Sequence, residues 1–255
     1  MPRSPAPRPR VSAHRGGTEH ARPATYEAYE HAATTGAEYA EFDIRRTRDG
    51  ELVVFHDATV RDVAGCGPVR PLAELSYAEL RSAAGYEVPL AGSVMRLLAR
   101  HGVAGHLDLK ETGYEADVVA LAVAAFGADG FVVTTLEDVS VSAIKTEFRQ
   151  VTTALSLGRD LGEVAWRQRL GVRAAELAPL ARVRRCGADW VAVNYKLARV
   201  GVTRACQRAG VGVMVWTVDG DASIDDFLRD DRIEVLITSR PAYAVARRAA
   251  VKSPG

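Results

Sequence analysis

Short apolar runs alternate with amphipathic helical stretches almost from one end of the chain to the other, the pattern of βαβ units around a parallel sheet. The predicted strands are Val11–His14, Tyr39–Ile44, Gly105–Lys110, Phe131–Thr135, Val151–Ser156, Trp190–Asn194, Val211–Val218 and Val235–Thr238. Helical patterns such as Thr25–Thr34, Tyr114–Ala125, Val139–Phe148, Val202–Ala209 and Ala222–Leu228 lie between them. Gly36, Gly102, Gly127, Gly187 and Gly210 stand near the expected helix ends, where a left-handed residue closes a helix before the next strand. Eight strands with intervening helices predict a TIM (β/α)8 barrel, and 255 residues suit one such domain, for which about 250 is typical. No Gly-x-Gly-x-x-Gly follows the first strand, so a dinucleotide-binding sheet lacks its fingerprint.

One region breaks the alternation. Leu52–Phe55 reads as an extra strand, and the segment 57–89, with Gly65-Cys66-Gly67-Pro68 and a helical Tyr77–Ala84, reads as a small insertion between the second and third barrel strands. It begins at the carboxyl end of a strand, the side on which TIM barrels carry their chemistry. Residues 1–10, rich in Pro and Arg, read as a disordered tail before a barrel spanning 11–250, and Lys252–Gly255 reads as a second tail.

Lys and Arg number 33 against 32 Asp and Glu, so no basic excess points to nucleic acid or to an anionic membrane surface. The start, Met1–Arg10, lacks the apolar stretch of a signal peptide, no segment reaches the ~18 apolar residues of a membrane span, and a cytoplasmic location is the expectation. Cys66, Cys186 and Cys206 are scattered without metal-ligand spacing and read as reduced thiols.

Chemically capable residues gather at the predicted strand ends. His14-Arg15-Gly16-Gly17 closes the first strand with a group that exchanges protons near neutral pH, a planar cation suited to phosphate oxygens, and two glycines that let backbone approach a ligand. Glu41 and Asp43, two apart on an apolar strand, leave the same face, while Ala40, Phe42 and Ile44 face the helices. Two carboxylates aimed into a barrel are costly unless they meet a cation or other partners. Asp108 and Lys110 repeat the spacing on the third strand, as ligand and cation or as a structural ion pair. His56-Asp57 ends the extra strand, whereas His20, His31, His101 and His106 take structural or surface readings. Trp216 ends the seventh strand, either flooring a ligand pocket or packing. Together these residues suit a phosphodiester reaction, which needs an acid, a base, and charge to neutralise the phosphate. All-oxygen ligation by Glu41, Asp43 and Asp108 suits a hard divalent ion such as Mg²⁺ or Ca²⁺.

The run His14-Arg15-Gly16, then Gly36-Ala37-Glu38-Tyr39-Ala40-Glu41-Phe42-Asp43, then Thr47–Asp57 resembles the glycerophosphodiester phosphodiesterase family. Asp108-Leu109-Lys110, Val215-Trp216-Thr217-Val218 and Ile237-Thr238-Ser239-Arg240-Pro241 extend the resemblance to about Pro241. It implies a TIM barrel, His14 and His56 as the acid/base pair without fixing which is which, and Glu41, Asp43 and Asp108 as metal ligands. Arg15 and Lys110 become phosphate- or metal-site charges. The implied substrate is a small-molecule phosphodiester, split into an alcohol and glycerol 3-phosphate, with a vicinal glycerol hydroxyl attacking phosphorus first. Departures are Arg22-Pro23-Ala24-Thr25 where the family reads Pro-Glu-Asn-Thr, Asp108 where Glu is frequent, Ser239 in place of Asp, and Asp219 in place of Asn. Two rivals follow: a relative acting on lipids in the manner of lysophospholipase D or sphingomyelinase D, and a catalytically weak phosphodiester-binding module.

Overall fold

The computed structural model describes residues 9–63, 67–158 and 179–252. Its strands in chain order are β1 (Arg10–Ala13), β2 (Tyr39–Arg46), β3 (Leu52–Val54), β4 (Thr59–Val60), β5 (Arg70–Pro71), β6 (Ala104–Leu109), β7 (Phe131–Thr135), β8 (Thr152–Leu157), β9 (Trp190–Asn194), β10 (Gly212–Trp216) and β11 (Val235–Thr238). Eight of them run parallel in the order β1-β11-β10-β9-β8-β7-β6-β2, and a β1–β2 pairing closes the ring. The fold is a TIM barrel with helices between its strands.

Alternation along each strand sorts side chains into two cores. Tyr39, Val132, Ala154, Ala192, Met214, Val235 and Ile237 pack inside the ring. Phe42, Ile44, Leu107 and Leu109 point outward against Val94, Met95 and Leu98 of helix Ala91–Arg100 and Val118 and Val119 of helix Glu115–Phe126. Each such buried aliphatic or aromatic side chain contributes roughly 1.5–3 kcal/mol. This outer burial holds β2 and β6 in place although their inner faces are charged.

Several boundaries differ from the sequence reading, each for a local reason. Arg10, expected as the last residue of a tail, is the first residue of β1. It donates to Tyr39 Oη at 2.8 Å, pairs with Glu234 at 3.5 Å, and lies over the rings of Tyr39 and Trp190. His14 leaves β1 and opens a short turn, His14–Gly16. Strand β2 runs on to Arg46 because β3 folds back on it in an antiparallel hairpin, pairing Ile44 with Val54. Strand β10 stops at Trp216. Gly65 and Cys66, like residues 1–8 and 253–255, lie outside the described residues. Cys186 and Cys206 are buried and unpaired with each other.

Between β3 and helix Ala91–Arg100 the chain forms the small antiparallel pair β4–β5 and helix Tyr77–Ala84. Ser76 and Glu79 close that helix with a reciprocal capping box. Val53, Val60, Leu72, Leu75, Leu80 and Val88 give the insertion its own small core. Asp49, at the tip of the β2–β3 hairpin, accepts from Thr47 Oγ1 at 2.6 Å and from the Tyr77 amide at 3.0 Å, tying hairpin to insertion. No helix among the described residues is long and apolar enough to cross a membrane.

Candidate active site

A cavity of about 370 Å³ opens at the carboxyl end of the barrel, lined on one side by His14, Arg15, Glu41, Asp43, His56, His106, Asp108 and Lys110. The opposite wall carries Leu136, Ser156, Ala192, Trp216, Thr217 and Ile237. His14, Arg15, Glu41, Asp43, His56, Asp108, Lys110 and Trp216, all singled out from the sequence, therefore meet in one place, brought there by five separate strands.

Register explains the acidic part. Asp43 of β2 pairs with Asp108 of β6, which pairs with Thr134 of β7, so these three stand on one level of adjacent strands. Glu41 pairs with His106 one level below. One carboxylate oxygen from each of Glu41, Asp43 and Asp108 lies within 4.8 Å of the others. At about 5 Å and an effective dielectric near 20, each such pair of charges repels by about 3 kcal/mol.

Two cations offset this repulsion in part. Lys110 Nζ contacts Asp108 Oδ2 and lies 2.8 Å from Asp43 Oδ1. Arg15 donates its backbone amide to Glu41 Oε2 at 2.8 Å, and its Nε lies 3.0 Å from Asp43 Oδ2. That last contact is an ion pair without hydrogen-bond alignment, so a buried Asp43 oxygen keeps unused lone pairs. Burial works against the charged forms of both Lys110 and Asp43, but the opposite charges beside them outweigh it: Asp108, then Asp43, hold the Lys110 proton above the usual lysine range, and Lys110, then Arg15, hold Asp43 below the usual carboxylate range. Glu41 goes the other way. Its burial, then Asp43 and Asp108, push its carboxyl well above the ordinary value. Three hard oxygen donors, one with unused lone pairs and one driven toward its protonated form, fit a hard divalent cation.

The histidines are held differently. His14 lies half-buried at the turn after β1, with Nδ1 3.2 Å from Ser239 Oγ. Burial first, and Arg15 next, lower its pKa to about 4, so the ring is neutral at neutral pH. His56 is exposed and reaches the cavity because the β2–β3 hairpin returns the chain to Asp43, whose carbonyl accepts from the Phe55 amide at 3.0 Å. Its Nδ1 meets Asp57 Oδ1 at 2.7 Å, leaving Nε2 as the ring atom open to a substrate.

The glycines of the His-Arg-Gly-Gly run have a different task from the one read in the sequence. A Cβ on Gly16 would stand 2.9 Å from the Ala28 backbone, and one on Gly17 would stand 2.9 Å from Pro241 Cδ. The close approach they permit is to the protein's own helices. Beside them Arg15 itself takes the left-handed region (φ 51°, ψ 35°), with its amide on Glu41.

Residues unmarked by the sequence also take part. His106, read as structural or surface, is buried and lines the cavity floor. Arg45, 8% exposed, donates Nε to the His56 carbonyl at 2.9 Å and pairs with Glu111 at 2.6 Å. Ser239 and Asp219, noted only as departures, support His14: Asp219 Oδ1 accepts from the Ser239 amide at 2.7 Å and from Thr238 Oγ1 at 3.1 Å. The late motif Ile237-Thr238-Ser239 was the signal for them, once β11 is seen to lie beside β1. Trp216 is half-buried on the cavity wall, and a Cβ on Gly158 would stand 3.2 Å from its ring.

Comparison with known proteins places this barrel, with acids, two cations and two histidines at its carboxyl rim, in a known family. The glycerophosphoryl diester phosphodiesterase family model matches residues 14–144, about half of the chain, and the chain belongs to that family. A bovine glycerophosphodiester phosphodiesterase 1 is 33% identical over 122 residues, covering 43% of this chain and 37% of the relative. A mouse lysophospholipase D is 41% identical over 64 residues, covering 25% of this chain and 19% of the relative. The alignments thus span well under two thirds of these curated relatives. Among solved structures, an Oleispira antarctica phosphodiesterase in complex with the product sn-glycerol-3-phosphate superposes with a TM-score of 0.71 at 16% identity, covering 94% of this chain and 96% of that one. That likeness concerns the fold.

Proposed function

We propose that this protein hydrolyses small glycerophosphodiesters to an alcohol and glycerol 3-phosphate, with His14 as base, His56 as acid, and a divalent cation held by Glu41, Asp43 and Asp108. The observation that carries this reading is the convergence of three carboxylates, two histidines, Arg15 and Lys110 on one cavity. The chemistry such an ion supplies when bound is charge neutralisation and polarisation at the phosphate. Neutral His14 takes the proton of the attacking glycerol hydroxyl while His56, steadied by Asp57 and Arg45, delivers a proton to the leaving alkoxide, and water then opens the cyclic phosphate to glycerol 3-phosphate with the two proton transfers reversed. Arg15 and Lys110 keep the acidic cluster from expelling an anionic substrate.

The test is release of glycerol 3-phosphate from glycerophosphocholine and glycerophosphoethanolamine, before and after exhaustive chelation. Turnover that stops on chelation and returns with Mg²⁺ or Ca²⁺ supports the reading, and full turnover without metal removes the cation from it. Asp108→Asn should lose more activity than Asp108→Glu, because only the latter keeps the ligand charge. Equal losses with unchanged metal binding would leave Asp108 and Lys110 as a structural pair.

Lysophospholipid hydrolysis is a second reading, favoured by the apolar residues Leu136, Ala192, Trp216 and Ile237 opposite the charged wall and by the aligned segment shared with the mouse lysophospholipase D. Choline release from lysophosphatidylcholine faster than from glycerophosphocholine would decide for it.

A further inference from the structure

Beneath Asp108 a row of polar side chains crosses the interior of the barrel. Thr134 Oγ1 donates to Asp108 Oδ1 at 2.7 Å, and the other acceptor in its reach, the Leu107 carbonyl, is at 3.5 Å. A hydroxyl has one proton, and the shorter, charged acceptor takes it. Thr134 Oγ1 can then only accept from His106 Nε2, which stands at 3.2 Å. That fixes the proton of the ring on Nε2, so Nδ1 accepts from Ser12 Oγ at 3.0 Å. The direction of every bond follows from the first one, and all run toward Asp108.

All three residues are almost fully buried: Ser12 is 0% exposed, His106 2% and Thr134 2%. Elsewhere the barrel interior is filled by Val132, Ala154, Ala192, Met214 and Ile237. An apolar filling would be at least as stable as a buried polar row, whose net hydrogen bonds bring little more than about 1 kcal/mol each. What the row adds is orientation. Asp108 is 20% exposed at the cavity, and its terminal torsion is intrinsically broad. With Oδ1 held by Thr134 and Oδ2 on the Lys110 side, the carboxylate plane has one setting.

We infer that Thr134, itself oriented by His106 and Ser12, is a positioning residue that fixes the Asp108 carboxylate for cation binding. The inference rests on the reading of Asp108 as a ligand. Outer partners of metal ligands commonly change affinity by about 10–100-fold when removed.

The experiment is calorimetric titration of the metal-free protein with MgCl₂ and, separately, CaCl₂, alongside its melting temperature without metal. Thr134→Val keeps the shape and removes the hydroxyl, and should weaken binding about tenfold, at the lower end of that range. Thr134→Ser restores the donor and should bind within about threefold of the unaltered protein. Asp108→Asn serves as the reference for losing the ligand itself. Wild-type affinity in Thr134→Val, with loss in Asp108→Asn, overturns the positioning role while sparing the ligand. A lower melting temperature in Thr134→Val with unchanged affinity overturns it too, leaving a structural residue. Unchanged affinity in Asp108→Asn, or no binding by the wild-type protein, overturns both this inference and the ligand reading. Should Thr134→Val fail to fold, Thr134→Ala is measured against the same outcomes.

Discussion

Ser239 Oγ lies 3.2 Å from His14 Nδ1, at a position where the family pattern places an aspartate. A neutral hydroxyl there leaves burial and Arg15 free to lower the His14 pKa to about 4, with the charges of Asp43 and Asp219 working against them. A carboxylate at such a distance favours the imidazolium and raises a histidine pKa by about 1–3. Ser239→Asp should therefore move the acidic limb of kcat/KM upward by about one pH unit or more, because the base is lost at higher pH. Profiles from about pH 4 to 8 at fixed metal saturation read this directly. An unmoved limb would mean that His14 is not the group whose neutral form is required.

His106 makes a prediction about stability. Burial lowers its pKa to about 3, with His14 adding to the effect, against an ordinary value near 6.5. Between those values the unfolded chain binds a proton that the folded chain refuses, so His106 contributes stability above pH 6.5 that is lost as pH falls toward 3. At about 1.4 kcal/mol for each pH unit below 6.5, the loss by pH 4.5 is about 3 kcal/mol. Glu41 acts in the opposite sense, since its raised carboxyl pKa makes acid favour the folded state. The comparison must therefore be differential: His106→Gln should lose about 3 kcal/mol less than the wild type between about pH 7.5 and 4.5 in urea unfolding. Parallel losses in both proteins would show that His106 titrates normally.

Ala24 is the other residue besides Arg15 to combine a side chain with a positive φ, 60°, among the described non-glycine residues. It stands where the family pattern carries asparagine, which tolerates the left-handed region better than alanine. Its amide donates to the Arg15 carbonyl at 2.8 Å, and Thr25 after it caps helix Tyr26–Ala32. The left-handed conformation costs alanine about 1–2 kcal/mol, and a glycine gives part of that back as unfolded-state entropy. Ala24→Gly and Ala24→Asn should each raise stability by about 0.5–1 kcal/mol, seen as a melting temperature a few degrees higher. A lower melting temperature in both would mean that contacts of the Ala24 methyl offset the strain.

The barrel was legible because eight apolar runs and their helices repeat one period, and outer residues such as Phe42, Ile44, Leu107 and Leu109 carry that signal strongly. Glu41 and Asp43 were legible because carboxylates on an apolar strand stand out. Their supports were not. Ser12, His106 and Thr134 come from three strands, and only the register of a closed ring sets them in a row. Ser239 reaches His14 because β11 closes on β1 across 225 residues of sequence separation. Gly16 and Gly17 were assigned to a ligand because a sequence does not reveal which neighbour crowds a backbone.

Arg45 gives the last prediction. It sits on β2 two residues beyond Asp43, nearly buried, with Nε on the His56 carbonyl and a terminal nitrogen on Glu111. His56 itself is exposed and hangs from a short hairpin strand, so few packing contacts hold its backbone. The planar fork of arginine serves both partners at once, which the single ammonium of lysine does not. Displacing a catalytic group by about 1 Å can cost about 10²-fold in rate. Arg45→Lys should therefore lower kcat about tenfold with little change in KM, and Arg45→Met should lower it further. Glu111→Gln, which keeps an acceptor for Arg45, should be milder than either. The loss should also depend on the leaving group. An acid is needed for an alkoxide but hardly for a nitrophenolate, so a nitrophenyl ester of glycerol 3-phosphate, which keeps the attacking hydroxyl, should be nearly indifferent to Arg45→Lys if His56 is the acid. An equal loss on both substrates would place His56 on the attacking side instead. A lower melting temperature with unchanged kcat would reduce Arg45 to a structural cation.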